Sequence, residues 1–169
     1  MSAARAKRAR KGLRLEVRPA TRAWAPAPSR MNRWAAAALG RRGDGREIAV
    51  RVVGPAESRA LNRRWRGKDQ PTNVLSFPAP GALAGMRRTR GMPRDAYLPL
   101  GDLVICADVV KREAARDGKR VEAHWAHMVV HGALHLAGYD HEAGRRERLR
   151  MERREIAVLR GFGIGNPYT

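Results

Sequence analysis

Val121-Glu-Ala-His-Trp-Ala-His-Met-Val-Val-His-Gly-Ala-Leu-His-Leu-Ala-Gly-Tyr-Asp-His141 carries every histidine of the chain. Through Ala137 it reads as one long apolar helix, about 25 Å at 1.5 Å per residue, enough to cross a domain. His124, His127, His131 and His135 fall within an arc of about 80° at roughly 100° per residue. Two pairs spaced i,i+4 are therefore available, His127/His131 and His131/His135. Gly138 can stop the helix, and His141 follows three residues later. A turn there returns the chain toward the second pair, one helical turn nearer than toward the first. This selects His131, His135 and His141 as ligands of one metal ion and leaves His124 and His127 as supporting or core residues.

Three imidazoles on zinc leave a fourth coordination position open, the arrangement of a catalytic rather than a closed structural site. One zinc per chain is expected; nickel, copper and iron also accept imidazole. The spacing is that of the metzincin proteases, HExxHxxGxxH. Here Gly132 stands where those enzymes carry their general-base glutamate. The metal cage is intact and the peptide-hydrolysis base is missing. Asp140, beside the third ligand, is a candidate base or acceptor and equally an ordinary turn residue.

Outward from this helix the chain alternates strands and helices. Leu13, Leu15 and Val17 alternate with charged residues, as do Ile48, Val50 and Val52, which predicts two half-buried strands. Between them, Ser29 is expected to cap a helix whose Met31, Trp34, Ala35, Ala38 and Leu39 face a core, with Gly40 as its stop. Gly54-Pro55 opens another helix, with Ala60, Leu61 and Trp65 expected to face inward and Gly67 to end it. Val74–Phe77 predicts a short strand, placed at an edge or strand end by Pro78. Residues 78–100 have no period, and a loop that long is usually functional or disordered. Leu103-Val-Ile-Cys106 suits a central strand, with Cys106 as a small core hydrophobe. Short helix 108–118 precedes the histidine helix, and helix 142–160 follows it with Leu149, Ile156 and Leu159 inward. The expectation is a single α/β domain over 13–169, one mixed sheet of about four strands with helices packed on it, preceded by a basic mobile tail over 1–12.

The net charge is +19, and Arg5, Lys7, Arg8, Arg10 and Lys11 contribute to it from the tail. Such a field favours polyanions through phosphate neutralisation. One cysteine excludes an internal disulfide and a cysteine-rich zinc site,. No apolar run approaches the roughly 20 residues that span a bilayer, so no membrane partner and a cytoplasmic location are expected.

Three blocks resemble the YbeY endoribonucleases, also called rRNA maturation factors. They are Leu61-Asn-Arg-Arg-Trp-Arg66-Gly-Lys68-Asp-Gln-Pro-Thr-Asn-Val-Leu-Ser-Phe-Pro78, Leu100-Gly-Asp-Leu-Val-Ile-Cys106, and Glu122 through His141. In many members an aspartate stands where this chain has Asn73. The resemblance implies zinc on the three histidines and cytoplasmic cleavage of single-stranded RNA. It further implies rRNA maturation, including processing of the 16S rRNA 3′ end, and ribosome quality control. The partners it implies are the small ribosomal subunit and a ribosomal protein or ribosome-associated GTPase. It also ties activity to the arginine at position 66. The planar fork of Arg66 matches phosphate oxygens, and Lys68 is the expected helper. A competing expectation is a non-catalytic, metal-stabilised assembly factor that binds rRNA or ribosomal protein. A third is a protease or amidase with an unusual base, against which Gly132 weighs.

Overall fold

The expected alternation of strands and helices is realised in one sheet. The computed structural model describes residues 11–83, 85, 87–93 and 95–169. Strands β1 (Arg14–Pro19), β2 (Arg46–Val53), β3 (Val74–Pro78) and β4 (Leu98–Cys106) lie in the order β1-β2-β4-β3. The first two and β4 are parallel, and β3 runs antiparallel to β4 along an edge. Pro78 closes β3 there, where its missing N–H costs the ladder least. Parallel neighbours need long crossovers, and α1 (Pro28–Leu39) supplies the one between β1 and β2. Helix α2 (Pro55–Arg66) follows β2, and α3 (Ala107–Arg116), α4 (Val121–Leu136) and α5 (Arg145–Arg160) follow β4.

The two sheet faces are unequal. On one, Ile48, Val50, Leu103 and Ile105 meet Met31 and Trp34 of α1 and Trp125 and Val129 of α4 in the main core. Helix α4 sits at its centre, against α1, α3, α5, β3 and β4, which explains why it is apolar on most sides. On the other face Val53, Leu75, Val104, Cys106 and Val109 form a small cluster, with Leu61 and Phe77 partly buried beside it. Cys106 is buried and free, as expected of a core hydrophobe.

Several expectations are corrected. Ala27, not Ser29, precedes α1, without a side-chain cap, and Pro28 fills its first turn. The central strand starts at Leu98 rather than Leu103 because a register shift opposite Glu47/Ile48 absorbs the Pro99–Gly101 stretch,. The loop expected over 78–100 is shortened accordingly. In α5, Leu149 is exposed, and the inward stripe is Met151, Glu155, Val158 and Leu159. A buried carboxylate in that stripe hides its phase from an apolar pattern. In α2, Ala60 and Trp65 are exposed, and the buried residues are Ser58 and Asn62. The Ser58 hydroxyl donates to Thr72 O and accepts from Thr72 N, each at 2.9 Å. The Asn62 amide donates to Gln70 O at 2.8 Å. This face of α2 therefore pins the 67–73 segment through hydrogen bonds, where an apolar reading expects core. Of the tail, residues 1–10 lie outside the described residues. Lys11 accepts a bond from Gly45 N at 2.7 Å and places its ammonium 3.8 Å from the Tyr97 ring centroid.

Candidate metal centre and cleft

The last two turns of α4 and the loop after it build the site. Gly138 has φ +92°, a conformation that a side chain would strain,. Its N–H bonds His135 O, and Tyr139 N–H bonds Leu134 O, each at 3.0 Å. Asp140 then accepts from Glu142 N at 2.8 Å. This turn brings the His141 ring centroid to 5.1 Å from that of His131 and 4.8 Å from that of His135. One nitrogen from each of the three rings falls within 4.8 Å of the others, close enough to share one ion. His135 Nε2 faces His141 Nδ1 at 2.8 Å. Burial, then the neighbouring His131 and His141, push His135 down to about 4. It is therefore neutral near pH 7, the form that can ligate a metal.

A second trio, His127, His131 and Glu155, also lies within 4.8 Å. It contains the alternative i,i+4 pair. Glu155 is wholly buried and lies 2.5 Å from His131 Nδ1. Tyr168 donates its hydroxyl to the other carboxylate oxygen. His127 Nε2 stands 3.8 Å from the same carboxylate. Burial alone would raise the Glu155 carboxyl. The imidazoles of His127 and His131 and the Tyr168 hydroxyl outweigh it and hold the group at about 2. A carboxylate that fixes one ring nitrogen of a histidine turns the other toward a ligand. This closed trio thus fits a support for His131, while the His131/His135/His141 trio opens to solvent. His124 is also buried, and its Nε2 lies 2.7 Å from Glu113. The Asn73 amide donates to that same carboxylate at 3.0 Å.

The open trio lines a cleft of about 430 Å³ whose other walls are Trp65, Arg66, Val74–Phe77, Asp140 and Glu142. Arg66 ends α2 and reaches Glu142 Oε1 at 2.9 Å. Lys68 is exposed and is not part of the cleft wall. Gly132 lies against the sheet. A Cβ there would stand 2.8 Å from Leu103 Cδ2 and 3.4 Å from Ser76 Oγ. A glutamate at this position would have to displace the buried Leu103 side chain, a packing constraint that the sequence does not show. Glu155 and Tyr168 are the residues sequence reasoning missed. Glu155 could have been found as the acid in the Met151–Leu159 stripe; Tyr168 leaves no local signal.

A mixed α/β sheet with three histidines able to hold one ion at an open, arginine-walled cleft defines a metallohydrolase-like class. The comparisons narrow it. The family model for endoribonuclease YbeY matches residues 26–163. A relative from Methylococcus capsulatus, named Endoribonuclease YbeY, is 56% identical over 80% of this chain and 81% of its own. One of the same name from Halorhodospira halophila is 49% identical over 85% and 88%. A solution structure of a Thermotoga maritima protein aligns with TM-score 0.51 and 25% identity, over 90% of this chain and 93% of that one. The chain belongs to the endoribonuclease YbeY family, and the family's activity makes it a hydrolytic nuclease.

Proposed function

We propose that this chain is a zinc-dependent endoribonuclease that cuts single-stranded RNA, with the ion held by His131, His135 and His141. We further propose that it acts in the cytoplasm on ribosomal RNA, including the 16S 3′ end, in contact with the small ribosomal subunit and a ribosomal protein or ribosome-associated GTPase. The observation that carries the chemistry is the trio of convergent imidazoles opening onto the cleft that Arg66 walls. The donor set fits zinc: all three are nitrogen ligands, and Glu155 orients His131 from behind,.

When bound, zinc supplies Lewis-acid polarisation and lowers the pKa of water to about 7. The protein groups do the rest. Arg66 presents a planar cation to phosphate oxygens, whose negative charge grows in the transition state. Asp140 spends a carboxylate oxygen on Glu142 N and thereby fixes the loop that carries His141. The net charge of +19 draws the RNA strand in,.

The test is cleavage of single-stranded RNA by purified protein. Activity is expected to stop with a chelator and to return with added zinc. Undiminished cleavage after verified metal removal would refute the metal mechanism. Glu155→Gln checks the support of His131. It is expected to weaken zinc binding by about 10- to 100-fold, as such supporting partners do, read by competition with a coloured chelator. Unchanged affinity would remove Glu155 from the site.

A further inference from the structure

Trp65 has no part in the reaction as described, yet it is the most exposed large apolar side chain among the described residues, at 60%. It shares a helix stripe with Ser58, Leu61 and Asn62, but it stands in the last turn of α2, where the helix runs out at the cleft. Phe77 meets its ring edge-on, with centroids 5.8 Å apart and planes at 69°. That contact holds the indole in place without covering it. The Arg64 guanidinium lies 5.2 Å from the ring centroid. Arg63 and Lys68, on the same helix end and its exit, are both exposed. The next residue, Arg66, lines the same cleft as the three histidines.

A fixed, water-exposed indole amid exposed cations, beside a site for a phosphodiester, has the chemistry of a base-stacking platform. Aromatic rings bind bases of single strands by stacking and tolerate any sequence, while cations track the backbone. In a duplex both faces of each base are already stacked, so such a platform discriminates by strandedness. We propose that Trp65 stacks an unpaired nucleobase of the RNA strand whose phosphate lies at the histidine trio, and so makes this cleft selective for single-stranded RNA. This rests on the endoribonuclease reading above and adds the group that recognises the substrate.

The test compares Trp65→Ala, Trp65→Leu and Trp65→Phe in the zinc-loaded full chain, with a single-stranded oligoribonucleotide and a blunt RNA duplex of the same sequence. Trp65→Ala and Trp65→Leu are expected to weaken single-strand binding by about 5- to 100-fold, the value of one stacked base. The loss should fall on KM rather than kcat, and duplex binding should not change. Trp65→Phe should restore most of the affinity, which an apolar leucine of similar bulk cannot do. The Trp65→Ala melting temperature checks the fold. Equal losses for single strand and duplex, or a fall in kcat alone, would overturn the platform and make Trp65 a support for Arg66. Wild-type KM in Trp65→Ala would also overturn it. If the wild-type chain itself neither binds nor cuts RNA, the endoribonuclease reading fails, and the platform with it.

Discussion

His135→Ala is expected to purify without stoichiometric metal and to cut single-stranded RNA at least about 10³-fold more slowly than wild type, a loss of roughly 4 kcal/mol of transition-state stabilisation. The central ring of the trio is 4.7 Å from His131 and 4.8 Å from His141, centroid to centroid, so its removal leaves two imidazoles and a wider gap. The fold should survive. Alanine is the best helix former, and α4 is anchored by Trp125, Val129 and Ala133, all fully buried. Elemental analysis with a melting curve separates metal loss from unfolding. His127→Ala is the control, because the closed trio with Glu155 depends on His127 and the open one does not. It should keep one ion per chain. Loss of metal in His127→Ala with retention in His135→Ala would move the ion to the closed trio.

Helix α4 with His131 and His135, and the return of His141 to them, are legible in the sequence because a 3.6-residue period and one turn-forming glycine fix both direction and register,. The edge position of β3 is legible for a similar reason, since proline cannot donate. Legibility fails where tertiary partners decide. Glu155 looks like one more charge on a charged helix until its neighbours are seen to be His131 and Tyr168. Gly132 reads as a lost catalytic base, whereas it is the point where α4 touches Leu103. Trp65 lies on the expected face of α2, but in the last turn of the helix, where Phe77 of β3 meets its ring edge-on and leaves the indole exposed. Leu98–Leu100 join β4 only because β2 accommodates a bulge. The sequence therefore locates the three convergent histidines better than the groups that hold and surround them.

Arg66→Ala is expected to lower kcat by about 10²- to 10³-fold, the usual loss when one preorganised group facing transition-state charge is removed. The fold should not change. The guanidinium is 39% exposed, and its partner Glu142 is 65% exposed. A surface pair of this kind contributes little to stability. Arg66→Lys should recover only part of the rate, since an ammonium keeps the charge and loses the fork that meets two phosphate oxygens. Glu142 holds Arg66 at 2.9 Å and would compete with a phosphate for it, so Glu142→Gln should leave cleavage undiminished. The Trp65 and Arg66 variants then separate along different kinetic axes although the residues are adjacent in the chain. A base platform acts on ground state and transition state alike and appears in KM, whereas a cation facing developing charge appears in kcat. If Arg66→Ala kept full kcat, the guanidinium would be reduced to a cation at the helix end, paired with Glu142 and interacting with the last carbonyls of α2. The phosphate charge would then be met by the metal site alone.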